Sequence, residues 1–540
     1  MDSFLNRLNE KRVFTFFVFL QLLPYFFFAF MPSMDGPPHL HNTQVLIELL
    51  RGNSVMQNFY TFNPVLVGYW TQPVLMSLFN LLFSAQIAEK LLISVYLAGL
   101  AFSFRYFVKS LNPDPGYLTI LIIPFSYTFF YFLGYYNFSL AFIFVFMALG
   151  YYIRNRRSFT WKTFLILFVL ISMVFLTHSF VFAWFCIGLF IFVTLRFLGA
   201  LIKGASIQLS IKSFIKNGIF LFLAALPALI FFVFHFLHVR QVDSTVFTDT
   251  RSFSQLIDFL LRIRLIIGYH ISRESTPNFV YQLVILTVLV VSFISFFRNT
   301  SILSLTIGEL IKRLTNIKNA IFLVSVFFLL VYFIIPETVA AGDLDIRVSV
   351  FFFYFFIARI AAIRLSKKIT FILAMIVILA FVQQSLLRYR MIRDLIAYSK
   401  DVYYLQEFVE PNAVIFPYRV SSHWLDLHFP MYVGVDKPVI HLGNPQMYGA
   451  AHLIWNNPQL PVLKVGNLDV SNHHGRIVEN DGSRDEYIVD YVIVYRYNEF
   501  RESQDHNEFK EVLEHYYELL KISPLGTTAL YNLREKLPEY

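Results

Sequence analysis

The chain has 540 residues, of which 57% are hydrophobic, 19% are aromatic and only 15% are charged. This composition excludes an ordinary soluble protein, because uncharged apolar runs of about 17 or more residues recur and are long enough to cross a bilayer as helices. Residues 1–389 carry 30 basic and 14 acidic side chains, whereas residues 390–540 carry 14 and 21. The net charge of +9 therefore reflects basic membrane loops, and we expect no nucleic-acid partner.

The apolar runs predict about eleven transmembrane helices within a membrane domain at 1–389. No small-residue cleavage site follows the first run, so we expect an uncleaved membrane helix there. The single cysteine, Cys186, lies inside one run and cannot form a disulfide within the chain. The predicted spans lie at 13–31, 86–108, 117–133, 137–153, 160–177, 179–197, 214–237, 278–297, 319–335, 346–364 and 369–387.

The basic residues decide how a shorter apolar piece at 71–85 is interpreted. If this piece does not cross and the N-terminus is cytoplasmic, 20 of the 30 basic residues in 1–389 fall in inner loops. We therefore expect 71–85 to lie at the membrane interface or to re-enter it. The prediction is a multi-pass protein of the plasma (inner) membrane, with outer loops at 32–85, 238–277 and 336–347.

Two further outer segments have apolar residues at helical spacing. In 38–51, a preceding proline pair favours a helix start, and Gly52 favours its end. In 253–271, charged side chains are interspersed among apolar ones. Both segments are predicted to be helices that lie on the outer membrane surface.

Beyond residue 390 the helical and extended patterns alternate, which predicts an extracytoplasmic α/β domain at 390–540. It contains eight histidines, among them His428, but no metal-ligand spacing and no nucleophile motif. We expect this domain to help bind an acceptor or to cover a site rather than to catalyse. Its predicted helices lie at 393–409 and 507–522, and its predicted strands at 412–418, 437–443, 486–497 and 527–533.

The stretch "MPSMDGPPHLH" places polar residues directly after the first apolar run. Asp35, flanked by prolines and a glycine, is a candidate general base for an acceptor hydroxyl. The alternative is that Asp35 only caps the helix that follows. His39 and His41 are two residues apart and point to different sides of a helix, which is a poor arrangement for one metal ion. They are candidates for binding a phosphate and lipid headgroups.

A second polar stretch, "PETVAAGDLDIR", precedes a late predicted span. Asp343 and Asp345 form a D-x-D pair that can hold a divalent cation, such as Mg or Mn, between phosphates. Glu337 is a further candidate acid. Arg347 is a candidate phosphate ligand at the outer start of the span. The alternative is an acidic loop followed by an arginine that reaches the interface, and the sequence specifies no metal by itself.

Two turns between predicted spans carry candidate sugar-binding side chains. Tyr136 and Asn137 lie in "FLGYYNFS", and His178 lies in "FLTHSFVF". Aromatic rings combined with an amide suit sugar recognition. The alternative is that the tyrosines anchor a helix turn at the interface.

The layout resembles that of the GT-C glycosyltransferases, including the dolichyl- and undecaprenyl-phosphate-dependent mannosyl- and arabinosyltransferase-like membrane enzymes. The resemblance lies in a first outer loop with "MDGPPHLH" and a surface helix, "PETVAAGDLDIR" before a late span, and an extracytoplasmic α/β tail. It implies transfer of a sugar from a polyprenyl-phosphate donor to a glycan, lipid or protein acceptor. It places Asp35 as the base, with His39 and Arg347 near the donor phosphate. A second acid beside Asp35, which such enzymes carry, is missing.

Three alternatives stay open at this stage. An O-antigen polymerase or ligase would use arginines of a late outer loop, such as Arg251, Arg262, Arg264 and Arg273. A lipid or glycan transporter would need polar residues near the bilayer midplane, where these spans are nearly free of charge. A scaffold without catalysis is the third alternative.

Overall fold

The computed structural model describes residues 9–156, 159–202, 206–242, 251–298, 316–335, 343–420, 423–447, 451–456 and 489–534. The α-helices are Glu10–Leu20, Gly36–Arg51, Ser54–Phe59, Thr71–Asn80, Ala85–Leu111, Ile122–Phe125, Phe129–Leu133, Tyr136–Asn155, Trp161–Thr177, Ser179–Ile202, Ile207–Val242, Phe253–Leu261, Ile271–Arg298, Ile317–Ile334, Leu344–Ala361, Lys367–Tyr404, Tyr497–Glu502 and Asn507–Tyr516. Short 3₁₀ segments are Leu23–Phe27, Gly116–Leu121, Arg264–Ile266, Leu405–Phe408, Trp424–Asp426 and Phe429–Tyr432.

Within these ranges, eight helical segments are long and apolar enough to cross a membrane. The segment Ile207–His238 is the most apolar, with a mean hydropathy of 2.5, yet only 28% of its most apolar window is buried. Large side chains on it, such as Phe222 and Phe234, are more than half exposed. Such a surface is stable in lipid and not in water, which supports the predicted polytopic α-helical membrane fold. The other seven segments are Ala85–Leu111, Gly116–Leu133, Tyr136–Asn155, Ser179–Ile202, Ile271–Val291, Ile317–Ile334 and Lys367–Phe408.

The structure differs from the prediction in the first apolar run. The helix Glu10–Leu20 has 11 residues, which is about 16 Å and shorter than the hydrocarbon core. Pro24 has no N–H to donate to the carbonyl of Leu20, so the run continues as the 3₁₀ segment Leu23–Phe27. Apolar composition alone does not show this break.

The three predicted membrane-lying helices also differ from one another. Thr71–Asn80 has 10 residues, about 15 Å, and is too short to cross, as expected. The 253–271 segment divides into the helix Phe253–Leu261 and a 3₁₀ turn, with Ile263 in the left-handed region at φ +45°. The helix Gly36–Arg51 is not a surface helix, since 13 of its 16 residues are buried. An amphipathic pattern marks an apolar face but does not say whether lipid or protein covers it.

The chain divides into two compact units. The helical unit comprises Met1–Leu23, Ser94–Tyr131 and Tyr136–Met391. The mixed unit comprises Pro24–Ile93, Phe132–Tyr135 and Ile392–Tyr540. Thus the compact unit that contains the C-terminal segment also contains the first predicted outer loop.

Aromatic rings build the interior of the helical unit. The ring of Phe328 stacks on Phe351, with centroids 4.8 Å apart, and also on Phe355 at 5.8 Å. Close packing here requires Gly188, where a Cβ would lie 3.2 Å from the Phe328 ring. At another place in this unit, Arg105 pairs with Glu10 through two hydrogen bonds, of 3.0 and 2.5 Å, so the start of the first helix lies beside the helix Ala85–Leu111.

The mixed unit is organised by a five-stranded sheet in the order β3-β2-β5-β7-β6. Strand β2 is parallel to β3 and β5, while β7 is antiparallel to β5 and β6. A separate antiparallel pair joins β1 of the first loop to β4 of the C-terminal segment. The strands are β1 Tyr60–Phe62, β2 Val414–Arg419, β3 Ile440–His441, β4 Leu453–Trp455, β5 Tyr491–Tyr495, β6 Tyr517–Ile522 and β7 Thr528–Leu533.

Strand β6 is a further difference between the structure and the prediction, because the sequence predicts one helix over 507–522. The helix ends at Tyr516, and a turn that closes at Gly526, with φ +69°, pairs β6 with β7 as a hairpin. Backbone pairing across this short turn satisfies the N–H and C=O groups that a longer helix would have satisfied.

The helix Gly36–Arg51 packs its Val45, Leu46 and Leu49 into the same hydrophobic core as the sheet.

Candidate functional site

Asp35 occupies the N-cap position of the helix Gly36–Arg51, in the mixed unit. Its backbone N–H donates to the carbonyl of Leu133 over 3.0 Å. Its side chain makes no capping hydrogen bond to that helix, because Asp35 has φ −96° and ψ 1° instead of the extended backbone of most N-caps. The carboxylate is 16% exposed. The capping interpretation of this residue therefore lacks its defining hydrogen bond.

Gly134 packs closely against the backbone of Asp35 and Gly36. It has φ +83°, and a Cβ there would lie 3.0 Å from the backbone nitrogens of Asp35 and Gly36. The carbonyl of Gly134 lies 3.0 Å from Nε2 of His39, and since a carbonyl only accepts, that nitrogen carries the proton. Only glycine combines this left-handed backbone with such a close approach.

In the mixed unit, His41 of the first-loop helix is buried and His39 is partly buried. The ring of His41 is fully buried and meets the ring of His441 edge to face, with centroids 5.7 Å apart. Burial lowers the pKa of His39 and of His41 to about 4, against hydrogen bonds that raise it. Both rings are therefore neutral at pH 7, so neither supplies the positive charge that favours a phosphate.

His428 of the C-terminal segment approaches Asp35 directly. Its Nε2 lies 3.8 Å from Oδ1 of Asp35, and its side chain is 9% exposed. It precedes the 3₁₀ segment Phe429–Tyr432 and is buried with it. Because this contact joins residues far apart in sequence, the spacing of the histidines in the C-terminal segment does not reveal it.

Carboxamide side chains surround the first-loop helix on the same side of the mixed unit. Asn42 donates to Oε1 of Gln446 over 3.0 Å and accepts from Asn444 over 2.6 Å. The ring of Trp70 lies 5.4 Å from that of His452, centroid to centroid. These five first-loop and C-terminal side chains were not predicted from the sequence, where their only signal was their polarity within apolar surroundings.

Arg347 and His178 lie together in the helical unit. The guanidinium of Arg347 is 5.9 Å from the ring centroid of Phe138, and the ring of His178 meets the same ring at 5.3 Å. Phe130 lies 5.8 Å from the guanidinium. Burial, together with the charge of Arg347, holds the pKa of His178 well below its usual value. A guanidinium against aromatic faces keeps a fixed orientation in a partly apolar environment.

Tyr136 and Asn137 begin the helix Tyr136–Asn155 in the helical unit, and both are buried. They precede Phe138, so the predicted sugar-binding turn and the Arg347 contact share one helix start. Their role in sugar binding stays a prediction.

Arg251 forms ion pairs with both carboxylates of the D-x-D pair. Asp343 accepts a 2.5 Å hydrogen bond from Arg251, and Asp345 accepts a shorter one from the same guanidinium. Asp343 also adopts a left-handed backbone at φ +50° at the start of the helix Leu344–Ala361. Glu337 lies outside the described residues. The guanidinium thus lies where a cation bridging the two carboxylates would bind.

Within the parts of the chain that the structure describes, no three His, Cys, Asp or Glu side chains are grouped to hold a metal ion. The divalent cation therefore stays a prediction.

The structure brings the predicted residues together in two groups. Asp35, His39 and His41 belong to the mixed unit, where His428 joins them. Arg347, His178, Tyr136, Asn137 and the D-x-D pair belong to the helical unit.

No protein-family model matches the chain, and no curated protein is similar to it. The functional assignment therefore depends on the side chains and their geometry.

Proposed function

We propose that the protein is an integral membrane glycosyltransferase. It transfers a sugar from a polyprenyl-phosphate donor to a hydroxyl of a glycan, lipid or protein acceptor, on the extracytoplasmic side of the membrane. Asp35 acts as the general base, and the reaction inverts the configuration at the anomeric carbon. The N-terminus is cytoplasmic in this proposal.

The observation that supports this proposal best is the state of Asp35. Its side chain makes no capping hydrogen bond and is partly exposed. The backbone at this position is constrained by Leu133, Gly134 and the proline pair. A base that must reach one acceptor hydroxyl benefits from such pre-organisation. A carboxylate that served only the helix start would be expected to accept from its N–H groups.

The mechanism follows from the roles of these side chains. Oδ of Asp35 takes the proton of the acceptor hydroxyl while the hydroxyl oxygen attacks C1 of the sugar. The bond between C1 and the phosphate oxygen breaks, and the polyprenyl phosphate leaves. The transition state carries positive charge on the ring, as in glycoside cleavage. One direct displacement inverts the anomeric centre.

Within the helical unit, Arg347 is the proposed candidate for binding a phosphate. Its guanidinium is always charged, unlike His39, whose ring is neutral at pH 7. Fixed against Phe138 and Phe130, it can form two parallel hydrogen bonds to phosphate oxygens. His39 then serves to position the Gly134 turn beside Asp35 rather than to bind the phosphate.

The test is a transfer assay with purified wild-type protein and Asp35→Asn. Labelled polyprenyl-phosphate sugars are offered with membrane extracts as the source of acceptors. We expect Asp35→Asn to lower transfer by about 10²- to 10⁴-fold, the usual contribution of a general base. The exposed loop residue Asp114 supplies the matched control, and Asp114→Asn should transfer like the wild type.

Transfer that survives Asp35→Asn unchanged would refute the assignment of the base. An absence of transfer from every donor by the folded wild type would refute the proposed function itself. Folding of both variants is checked by size-exclusion chromatography and thermal unfolding in the same detergent.

A further inference from the structure

We propose that His428 of the C-terminal segment receives the proton that Asp35 takes from the acceptor, and so returns the base to its ionised form. This inference rests on the proposed function. It makes the C-terminal segment part of the catalytic machinery, whereas the sequence favours a covering or acceptor-binding role for it.

The position of His428 is held on both sides along the chain. Before it, the carbonyl of Leu427 accepts a 2.6 Å hydrogen bond from Arg419 at the end of β2. After it, Tyr432 is fully buried against Phe30, with ring centroids 4.4 Å apart. The backbone carbonyl of His428 also accepts from Met431 over 3.0 Å. The backbone on both sides of His428 is thus fixed by packing and hydrogen bonds.

Asp35 is held just as firmly from the opposite direction. The backbone N–H of Asp35 donates to the carbonyl of Leu133. Gly134 packs closely against the backbone nitrogens of Asp35 and Gly36. Two independently fixed segments thus bring Nε2 of His428 to 3.8 Å from Oδ1 of Asp35. This separation is that of an ion-pair contact, and acid–base contacts of this length often tighten when substrate binds.

The contact between Asp35 and His428 has a role in the proposed reaction. Each transfer leaves one proton on Asp35, and a second turnover needs the carboxylate again. Breaking the Asp35 O–H bond and forming the Nε2–H bond converts neutral His428 into an imidazolium beside a carboxylate. The charge of this pair is balanced, and the imidazolium later loses its proton to solvent. Histidine is suited to this exchange because its ordinary pKa lies near neutrality.

The surroundings favour Asp35 as the group that exchanges with His428. On β3, His441 interacts electrostatically with His428, and burial lowers its pKa to about 3. His41, on the helix Gly36–Arg51, faces His441 and is likewise neutral at pH 7. Both rings are therefore poor proton acceptors at pH 7.

The experiment compares wild-type protein with His428→Gln and His428→Ala across pH 5 to 9, in the transfer assay described above. Glutamine keeps a polar group near Nε2 but cannot titrate. We expect His428→Gln to lower kcat by about 10- to 100-fold with little change in KM. We also expect one ionisation to disappear from the pH profile of kcat. Added imidazole should partly restore His428→Ala, since the substitution leaves a space of its size.

His506→Gln is the control, because His506 lies in the same segment and its Nδ1 is 2.9 Å from the hydroxyl oxygen of Tyr418. It should leave the pH profile unchanged. If His428→Gln keeps the wild-type pH profile and kcat while Asp35→Asn is inactive, the proton-acceptor role is wrong and the proposed function stands. If Asp35→Asn is fully active, both fail together. Loss of activity in His428→Ala that imidazole does not restore, with an unchanged pH profile for His428→Gln, would indicate a purely structural role.

Discussion

Both compact units bury charge pairs, but most of the buried histidines of the described residues lie in the mixed unit. The helical unit pairs formal charges: Glu274 is fully buried, lies 2.8 Å from Arg388 and also accepts from the N–H of Tyr269. The mixed unit pairs Arg496 with the fully buried Asp426, and it also buries histidines that carry no charge at pH 7, such as His41 and His441. A buried charge pair fixes geometry, whereas a buried neutral histidine becomes costly to keep buried when acid protonates it. The mixed unit should therefore respond more strongly to acid than the helical unit.

The buried ion pair should show the largest effect on stability. In Glu274→Gln the shape is kept, but Arg388 is left buried without its counter-charge, which costs about 3–5 kcal/mol. Thermal unfolding in detergent measures this loss. The control is Asp394→Asn, because Asp394 and Arg393 form a pair that is more than two-thirds exposed. Its effect should stay within about 0.5 kcal/mol. Equal losses in the two variants would show that burial does not decide how much an ion pair of this protein contributes to stability.

Acid should act on the mixed unit through its buried histidines. Burial lowers the pKa of His441 and His452 to about 3, and of His39 and His41 to about 4, from 6.5 in the unfolded chain. Below pH 6.5 the unfolded chain therefore binds protons that the folded chain does not. Stability falls as the pH decreases towards 4, by up to roughly 3 kcal/mol for each histidine.

Thermal unfolding at pH 8, 6 and 5 measures this acid sensitivity. His441→Asn should reduce the loss at pH 5 relative to pH 8, while His515→Asn, in the helix Asn507–Tyr516, should not. An unchanged midpoint of the wild type between pH 8 and 5 would contradict the prediction.

Gly134→Ala tests how strictly the mixed unit positions Asp35. The added Cβ meets the nitrogens of Asp35 and Gly36 at 3.0 Å on a backbone with φ +83°. We expect a loss of about 1–3 kcal/mol, and a loss of transfer activity even where the protein stays folded. Gly218→Ala is the control, because nothing lies within 4 Å of its Cβ and it is inside a helix. That change should be neutral or stabilise by up to about 1 kcal/mol. A folded and fully active Gly134→Ala would show that the turn does not position the base.

Arg251→Ala should give the smallest change. Its pair with Asp343 is partly exposed, and the buried Asp345 also accepts from the N–H of Ile346, so we expect a loss of about 1–2 kcal/mol. The freed carboxylates should then bind Mn²⁺, and added Mn²⁺ should raise the thermal midpoint of the variant more than that of the wild type. Asp343→Asn combined with Arg251→Ala should abolish this increase. An equal effect of Mn²⁺ on wild type and variant would show that the guanidinium does not compete with a cation.

Much of the helical unit could be read from composition and periodicity, since a run such as 214–237 is apolar on all sides and becomes part of one long helix. The break near Pro24 and the divided segment around Ile263 could not, because each depends on a local backbone conformation. In the mixed unit, β2, β5 and β7 were predicted close to their positions, while β6 was not. Its strand conformation depends on pairing with β7 across a turn.

By itself, the sequence determined the membrane character of the chain, its helical content, the C-terminal sheet and Asp35 as a candidate base. These properties follow from local composition, periodicity and constrained backbone, which neighbouring residues largely set. Only the tertiary structure decided that the helix Gly36–Arg51 is buried against the C-terminal sheet, that His428 faces Asp35, and that Arg251 engages the D-x-D pair. Each of these contacts joins segments about 90 to 390 residues apart, and local patterns carry no record of which distant surface will cover a given face.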